Sequence, residues 1–548
     1  MITSPAQTFR TLANFNGTDG AAPSGPLVQG LDGNFYGTTG GGGAYSRGTV
    51  FKVTRSGVLT TLYSFCVAQW PCSDGNLPAD ILQATDGNFY GTTVSGGTHG
   101  EGTVFKITPS GNLTALYSFC AKTGCTDGDG PEGSLIQATD GNFYGTTFQG
   151  GQLGDPFGGT DGSVFKITPS GELTVLHRFD WTDGAHPLAG LVQGTDGNFY
   201  GTTQSGGAYG SSCAGFGGCG TVFKITPSGA FTSLHRFDLT DGAYTDARLV
   251  QGTDGNFYGT TFNGGNPNPV CNTQQDLTRC GTVFRITPNG TLTTLHSFNG
   301  TDGYAPGAEL VQATDGNFYG TTSHGGAYGN GTIFKITPVG ALTTLHSFNG
   351  TDGSSPWAEL VQATNGTLYG TTLGGGIYGR GTIFSLCVGL GWFVETLPTT
   401  GTVGATIQIL GTDFTGATAV TFNGTPAPFT IISRTQIQAT VPTGSTTGSV
   451  KVTIPSGTPT SNKRFRVLPQ MTSFSPTSGP AGTVVTITGV SLAQTTRIGI
   501  GGVSASFTVV DDTTVTATVP TGATTGKKVV VTTRGGNVAS ATTFTVTE

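Results

Sequence analysis

Four charged residues stand at a position whose residue varies among the internal repeats of the chain. They are Asp80, Arg248, Glu309 and Glu359. The other three repeats have Pro26, Ser134 and Gly190 at this position. Carboxyl groups separated by about 5 to 10 Å can serve as acid and as nucleophile or base in glycoside cleavage. These four residues are therefore candidate catalytic residues, and the alternative is a solvated rim that binds cations weakly.

A second position carries an aromatic or imidazole ring in most repeats. It follows a Gly-Gly pair in a predicted surface loop, and its residues are Tyr45, His99, Tyr209, Tyr328 and Tyr378. Trp357 lies in another predicted loop of the same face. Exposed aromatic rings stack on the apolar faces of sugars, so these residues are candidate ligand-binding residues. The alternative is that the tyrosines pack their loops against neighbouring repeats.

Residues that recur in every repeat are better explained by structure than by chemistry. An Asp-Gly pair ends each repeat, as at Asp183 and Asp302, and this favours a turn cap over a repeated calcium site. We predict no cofactor and no metal, with calcium as the alternative. Four histidines share one strand position and are expected to pack between repeats: His177, His235, His296 and His346. Three histidines break the repeat and could act as bases: His99, His186 and His324.

The composition limits which elements can position these residues. Of 548 residues, 93 are Gly and only 10% are charged, which excludes a mainly helical protein. The net charge is −7, with −11 on the first 392 residues, and we see no basic stripe, so nucleic acid is not an expected partner. No apolar run reaches the roughly 18 residues of a membrane span.

The elements themselves follow from a repeated octamer. DGNFYGTT begins at Asp32, Asp86, Asp140, Asp196, Asp254 and Asp315, and a weaker copy, NGTLYGTT, begins at Asn365. Each unit has four short segments rich in Thr, Val, Ile, Phe and Tyr, which favour strands, and tight Gly-containing turns join them. Seven such units predict a seven-bladed β-propeller. The last unit lacks a fourth strand, and we expect residues 11–15 to supply it.

Eight of the nine cysteines form close pairs in the sequence. The pairs are Cys66 with Cys72, Cys120 with Cys125, Cys213 with Cys219, and Cys271 with Cys280. Each pair brackets an insertion, which predicts four local disulfides and an oxidising compartment. The alternative, metal ligation, would require about four converging ligands. The remaining Cys387 is expected to be buried and inert.

A different repeat begins at about Trp392. The segments TVPTG at Thr440 and Thr518 recur with an offset of 78 residues, as do Phe429 and Phe507. Each copy has short strands and Gly/Pro turns over about 75 residues, which is typical of an immunoglobulin-like sandwich. We therefore predict an all-β chain with a propeller over 1–391 and two sandwiches over 392–468 and 469–548.

These motifs carry a family resemblance. DGNFYGTT, GTVFKITPSG and LTTLHSF in order resemble the GloVer-type tandem repeat of secreted bacterial proteins, over residues 9 to about 391. VGATIQILGTDF and the TVPTG pattern resemble IPT/TIG domains over residues 393–548. The resemblance implies an extracellular or cell-surface protein, whereas residues 1–8 show no leader pattern and the end of the chain shows no hydrophobic anchor.

The sequence favours a secreted or cell-surface binding or adhesion protein. Its expected partner is a polysaccharide or a cell-surface glycan or protein, held on the face of the propeller that carries the variable loops. We predict a monomer without a membrane span. The alternative is an extracellular polysaccharide-cleaving enzyme, a glycoside hydrolase or lyase, with its site at the mouth of the central channel.

Overall fold

The computed structural model describes residues 7–67, 72–151, 161–207, 213, 217–271 and 279–548. The chain divides into two compact units, Met1–Gly391 and Trp392–Glu548. The first unit consists of seven four-stranded antiparallel sheets, which are the blades of a β-propeller. In the described residues the helical segments that the structure records are two short 3-10 turns, Thr123–Cys125 and Pro269–Cys271.

The strands of each blade follow one another in space in their chain order, apart from the last blade. Blades 1 to 3 are formed by Val28–Gln29, Phe35–Thr39, Thr49–Val53 and Leu59–Ser64; Asn76–Gln83, Phe89–Ser95, Thr103–Ile107 and Leu113–Ser118; and Ile136–Gln137, Phe143–Thr147, Ser163–Ile167 and Leu173–Arg178. Blades 4 and 5 are formed by Val192–Gln193, Phe199–Thr203, Thr221–Ile225 and Phe231–Arg236; and Val250–Gln251, Phe257–Thr261, Thr282–Ile286 and Leu292–Ser297. Blades 6 and 7 are formed by Val311–Gln312, Phe318–Thr322, Thr332–Ile336 and Leu342–Ser347; and Val361–Gln362, Leu368–Thr372, Thr382–Cys387 and Thr8–Asn14.

The two ends of the propeller meet in blade 7. The strand Thr8–Asn14 pairs antiparallel with Thr382–Cys387, in a register that places Thr8 opposite Cys387 and Asn14 opposite Thr382. The N-terminal segment thus supplies the fourth strand of the blade that the last repeat begins. This pairing removes the open edge that an incomplete blade would leave.

A ring of glutamines links the first strands. The Gln that ends each first strand accepts a hydrogen bond from a backbone N–H of the preceding blade, at 2.9 to 3.1 Å. The seven donor–acceptor pairs are Leu31–Gln83, Thr85–Gln137, Thr139–Gln193, Thr195–Gln251, Thr253–Gln312, Thr314–Gln362 and Thr364–Gln29. Because the last pair returns from blade 7 to blade 1, the seven blades form a closed circle.

Several residues of the repeated octamer have a structural role. In blade 1 the Asp32 carboxylate accepts hydrogen bonds from the Asn34 backbone at 3.1 Å and the Tyr36 hydroxyl at 2.8 Å, and it pairs with Lys52 at 2.7 Å. The Tyr36 ring lies 4.2 Å from the ring of Phe89 in the next blade. These contacts hold the turn, the sheet and the neighbouring blade in one arrangement.

The recurrent Asp-Gly aspartate also has a structural role. In four blades its carboxylate contacts the histidine of the fourth strand at 2.7 to 3.0 Å, and the pairs are His177–Asp183, His235–Asp241, His296–Asp302 and His346–Asp352. The rings of His177 and His346 stack on Phe231 and Phe9 of the next blade, at 3.9 and 3.8 Å. His177 and His346 therefore pack between blades, whereas the ring contacts of His235 and His296 are with Phe237 and Phe298 of their own blades.

All four predicted disulfides are formed: Cys66–Cys72, Cys120–Cys125, Cys213–Cys219 and Cys271–Cys280. The expectation that Cys387 is buried is wrong, because its thiol is free and exposed. The five preceding residues of this strand are all buried, whichever side of the strand they take. Cys387 is exposed because it is the last residue of the strand, where the cover of the neighbouring elements ends.

The second unit contains two β-sandwich cores. One is built around Ile407, Phe422, Ile437 and Phe465, and the other around Val485, Ile498, Val515 and Phe544. The strands of the first are Glu395–Leu397, Thr400–Gly401, Thr406–Leu410, Ala419–Phe422, Thr425–Pro426, Phe429–Ile431, Gln436–Thr440, Val450–Thr453 and Arg466–Val467. Those of the second are Gln470–Ser475, Ser478–Gly479, Val484–Val490, Thr495–Ile500, Val503–Val509, Thr514–Thr518, Lys527–Thr533 and Asn537–Val546. Among the described residues, no helix is both long and apolar enough to cross a bilayer.

Candidate functional site

The position three residues before the glutamine that ends each first strand forms a ring at the propeller axis, which we call the inner ring. Its members are Pro26, Asp80, Ser134, Gly190, Arg248, Glu309 and Glu359, one from each blade. The Arg248 guanidinium contacts Glu309 at 2.8 Å and Glu359 at 3.2 Å. These three residues come from blades 5, 6 and 7, and a side chain can bridge non-adjacent blades only where the blades converge. The first strands therefore lie innermost, and the inner ring surrounds the axis.

The charges of the inner ring are strongly coupled. Burial, together with the charge of Glu309, raises the pKa of Glu359 well above its ordinary value. Burial alone would lower the pKa of Arg248, but the carboxyl groups of Glu309, Glu359 and Asp80 raise it. Arg248 therefore stays charged beside the two glutamates.

Asp80 occupies the opposite side of the inner ring. Its carboxyl accepts a hydrogen bond from the Ile81 backbone at 2.6 Å and hydrogen-bonds to the Ser134 hydroxyl. Only 9% of the residue is exposed. Burial raises the pKa of Asp80 to about 6, against the opposing effects of Ser134 and Arg248. The structure thus brings together all four charged residues that the sequence analysis singled out at this position.

A second row of residues stands two positions before the inner ring. Of its members, Trp357 alone is a candidate binding residue predicted from the sequence. This outer row contains Ser24, Glu132, Leu188, Asp246, Gly307 and Trp357, and blade 2 is one residue shorter here. Asp246 accepts a hydrogen bond from Gln204 of blade 4 at 3.0 Å. Burial, with a contribution from the charge of Glu132, raises the pKa of Asp246 to about 7. Burial also raises the pKa of Glu132.

The indole of Trp357 lies over Gly307, the member of the outer row that has no side chain. A methyl group at Gly307 of blade 6 would stand 3.3 Å from the indole, so the glycine leaves room for the ring. The indole reaches Phe262 of blade 5, with ring centroids 5.7 Å apart. Trp357 and Phe262 therefore form an aromatic surface that reaches from blade 7 to blade 5 in the outer row.

The tyrosine position lies elsewhere on the face. Tyr45, Tyr328 and Tyr378 are 48, 65 and 57% exposed, which excludes the alternative that these rings are packed away. Their loops lie beside the fourth strand, the one farthest from the axis, since the backbone N–H groups of Ala44 and Ala327 bond to fourth-strand serines. His99 is also exposed on such a loop. Tyr209 lies outside the described residues.

The two other histidines that break the repeat are held by local contacts. His186 Nδ1 lies 2.7 Å from the Ser205 hydroxyl, and its ring stacks on Phe148 at 4.7 Å. His324 stacks on Tyr304 at 5.1 Å, and burial lowers its pKa. Over the described ranges, no group of three or more His, Cys, Asp or Glu residues is arranged to hold a metal ion.

The fold and the inner ring define a seven-bladed β-propeller with an asymmetric, charged mouth, and sequence comparison gives its family. The Gloeobacter/Verrucomicrobia repeat matches residues 1–124, 66–270 and 270–417, and the IPT/TIG domain matches residues 394–467 and 469–546. The chain therefore belongs to the Gloeobacter/Verrucomicrobia repeat family and ends in two IPT/TIG domains. This combination is that of a surface or binding protein, and the four disulfides are consistent with an extracellular one.

Comparison with curated proteins found no match. Solved structures with distant similarity include a putative gluconolactonase, with 12% identity over 71% of this chain and 94% of the other and a TM-score of 0.36. A fungal alcohol oxidase shares 14% identity over 98% of both chains, with a TM-score of 0.41. A surface glycan-binding protein from Prevotella bryantii shares 20% identity over 27% of this chain and 40% of the other, with a TM-score of 0.21.

Proposed function

We propose that this protein is a secreted or cell-surface carbohydrate-binding protein that holds a polysaccharide at the mouth of the propeller. The observation that carries the proposal is the arrangement of Trp357, Arg248 and Asp246 around one opening. A sugar ring presents an apolar face, which the indole can cover, and hydroxyl groups, which the guanidinium and carboxyl can bind. The exposed tyrosines on the outer loops of the same face would contact a longer chain beyond the mouth.

The contacts of the glutamate pair favour binding over glycoside cleavage at the inner ring. Glycoside hydrolases keep their two carboxyl groups about 5 to 10 Å apart, so that a sugar and, in inverting enzymes, a water molecule fit between them. Glu309 and Glu359 instead both contact one guanidinium, that of Arg248. This arrangement supports a rigid polar floor for a ligand.

The test is binding of the full chain to immobilised plant, microbial and algal polysaccharides, followed by Trp357→Ala. We expect one class of polysaccharide to be retained and the substitution to weaken retention about fivefold or more, since aromatic stacking contributes on the order of 1 kcal/mol or more. The matched control is Val339→Ala. Val339 is 85% exposed on a turn between third and fourth strands, at the opposite face. Retention of no polysaccharide, or equal loss in both variants, would contradict the proposal.

A second candidate function rests on Asp246. A carboxyl with a pKa of about 7 is suited to donate a proton to a leaving group at neutral pH. Glu132 is the nearby second carboxyl, so this pair would carry the chemistry of a polysaccharide-cleaving enzyme. Mass spectrometry of the same polysaccharides after incubation tests this function. Released oligosaccharides that disappear with Asp246→Asn would establish cleavage, and a profile without new products would leave binding as the function.

A further inference from the structure

Four consecutive blades carry the same short loop between their second and third strands. In blades 6, 7, 1 and 2 the loops are residues 325–331, 375–381, 42–48 and 96–102, and each reads Gly-Gly-x-Tyr/His-x-x-Gly. The N–H of the last glycine donates to the carbonyl of the first at 2.9 to 3.2 Å, which closes each loop on itself. The corresponding loops of blades 3 to 5 are longer. The same loop geometry therefore presents one ring side chain on each of four neighbouring blades.

Arg380 lies between the ring of its own loop and the ring of the next. Its Nε atom would stand 4.0 Å from a Cβ placed on Gly17, so the guanidinium lies against the start of blade 1. The Gly17 carbonyl accepts a hydrogen bond of 2.9 Å from Gly43, two residues before Tyr45. The backbone carbonyl of Arg380 accepts another from Ala22, also at 2.9 Å. The arginine is therefore positioned beside the loop that carries Tyr45.

Asn330 repeats this arrangement one blade earlier. Its side-chain amide nitrogen would stand 3.6 Å from a Cβ placed on Gly350. The Gly350 carbonyl accepts a hydrogen bond of 2.9 Å from Gly376, two residues before Tyr378. Rings and hydrogen-bond donors therefore alternate around blades 6, 7 and 1. We call this row the rim arc, and its members in order are Tyr328, Asn330, Tyr378, Arg380, Tyr45 and Arg47.

The rim arc offers both apolar surface and positive charge to solvent. Its three tyrosines are exposed, and Ile377 beside Tyr378 is 72% exposed. Arg47 and Arg380 are also exposed. The ion pairs that the structure records among the described residues include neither arginine. Two guanidinium groups are therefore available to a ligand beside the rings.

The turns that contact the rim arc lack an acid that other blades have. In blades 4 and 5, Asp180 and Asp238 close the turn before the recurrent Asp-Gly by accepting hydrogen bonds from the backbone and hydroxyl of a threonine two residues on. In blades 1, 6 and 7 an asparagine accepts the same two bonds, and these residues are Asn16, Asn299 and Asn349. The asparagine keeps the turn and removes one negative charge from each of the three blades.

The other carboxylates near the rim arc have partners or lie beyond its end. Asp302 and Asp352 each contact a histidine of the preceding fourth strand, at 2.9 and 3.0 Å, and Asp19 accepts a hydrogen bond from the backbone of its own turn at 2.9 Å. One blade beyond Arg47, the equivalent residue is Glu101, so the positive charge ends there. The propeller as a whole is acidic, but at physiological salt exposed charges more than about 8 Å apart are largely screened. The neighbouring groups therefore decide the sign of the charge at the rim arc.

We propose that the rim arc binds an acidic polysaccharide, one whose sugars carry carboxylate or sulfate groups, at a surface separate from the mouth. The tyrosine rings cover the apolar faces of sugars, and the guanidinium groups between the rings bind the acidic substituents. Because each loop is closed by its own hydrogen bond and held by the next blade, little ordering is required on binding. The choice of a polysaccharide rests on the proposed function, to which this adds the charge of the sugars and a second surface.

The test is retention of the full chain on two matched pairs of immobilised polysaccharides. Polygalacturonate is compared with its methyl ester, and dextran sulfate with dextran, so that each pair shares a backbone and differs in charge. We expect the charged member of at least one pair to be retained about fivefold more tightly than the neutral member, as two exposed ion pairs would produce. The pair that responds identifies the acidic group. Equal retention within both pairs, or no retention on either charged member, would overturn the proposal.

Variants locate the binding surface. Arg47→Gln/Arg380→Gln should remove the fivefold preference for the charged polysaccharide, and Tyr378→Ala should weaken its retention by a similar factor through lost stacking. The matched control is Lys463→Gln/Arg464→Gln, which removes two exposed positive charges from the second unit. Unchanged retention in either rim-arc variant, or an equal loss in the control, contradicts the assignment of the site to the rim arc.

Trp357→Ala distinguishes failure of this proposal from failure of the proposed function. Loss of retention in the rim-arc variants with none in Trp357→Ala would support the rim arc and remove the mouth as a binding site. Loss in Trp357→Ala with none in the rim-arc variants would overturn the rim arc and leave the mouth. Loss in both sets of variants would support both surfaces.

Discussion

Replacing Asp246 with asparagine should stabilise the propeller at alkaline pH and leave its stability unchanged in acid. The pKa of Asp246 rises from 3.8 to about 7 in the folded protein. Because the folded state binds this proton more tightly than the unfolded state, stability is lost as the pH rises from about 4 to about 7. An asparagine keeps the shape and can still accept the hydrogen bond from Gln204, but it never ionises. At alkaline pH, only the wild-type protein is therefore destabilised by an ionised carboxylate at this position.

The size of the effect follows from the displacement of the pKa. One unit corresponds to about 1.36 kcal/mol, so full ionisation of Asp246 costs up to about 4 kcal/mol, and solvent at the mouth reduces this to about 2 kcal/mol or more. A propeller of this size has an unfolding entropy of about 0.8 kcal/mol/K. Asp246→Asn should therefore raise the melting temperature by about 2 to 5 °C at about pH 8.

The assay is scanning calorimetry of the full chain at about pH 4 and about pH 8, comparing wild type with Asp246→Asn. Asp86→Asn is the matched control, for which the opposite change in stability is expected. Lys106, Asn88 and Tyr90 hold the Asp86 carboxylate and lower its pKa to about 2 despite partial burial, so its replacement should destabilise the protein at about pH 8. If Asp246→Asn has the same effect at both pH values, or none at about pH 8, the assignment of a buried, uncompensated carboxyl to this position is wrong.

Three further outcomes follow from the fold. Gly37→Ala should destabilise the propeller by about 1 to 3 kcal/mol in denaturant unfolding, because its Cβ would stand 2.7 Å from the Phe51 ring. Gly40→Ala is the control and should be close to neutral, because the nearest atom to its Cβ would be 3.6 Å away. Deleting residues 1–15 should lower the melting temperature by opening blade 7, and an unchanged value would contradict the role of that strand. Reduction of the disulfides should leave the far-ultraviolet circular dichroism intact while increasing proteolysis of the variable loops, since each bond closes a loop of 5 to 9 residues; global unfolding on reduction would refute this.

The fold could be predicted because its rules are local and repeated. The octamer specifies a turn through its Asp, a contact to the next blade through its Phe and Tyr, and space for a third-strand Phe through its Gly. A period of 50 to 61 residues with these features leaves few architectures. The charged members of the inner ring could be found in the same way, since they replace one another at a single position.

The rest of the site depends on geometry that no local pattern encodes. Glu132 and Asp246 stand in different repeats, and the one-residue deletion in blade 2 obscures the position that they share. That Trp357 lies over Gly307 becomes visible only when blades 6 and 7 are placed side by side. The tyrosine loops share the face of the mouth, but they lie beside the outer strands, away from the axis. The exposure of Cys387 depends on where its strand ends.

The pairing of Thr8 with Cys387 also sets the order of events in folding. The strand Thr8–Asn14 leaves the ribosome before the rest of the propeller and has no partner until about 380 further residues have been made. Bringing ends so far apart into contact costs roughly 5 kcal/mol of chain entropy, which the strand pairing and the Gln29–Thr364 contact must offset together. Blades 1 to 6 can each form as the chain emerges, but blade 7 can form only after synthesis has passed residue 387. Until then the nascent propeller is an open arc, and the blade at each end of the arc lacks one neighbour. Closing the arc depends on an N-terminal segment that has stayed free of other partners.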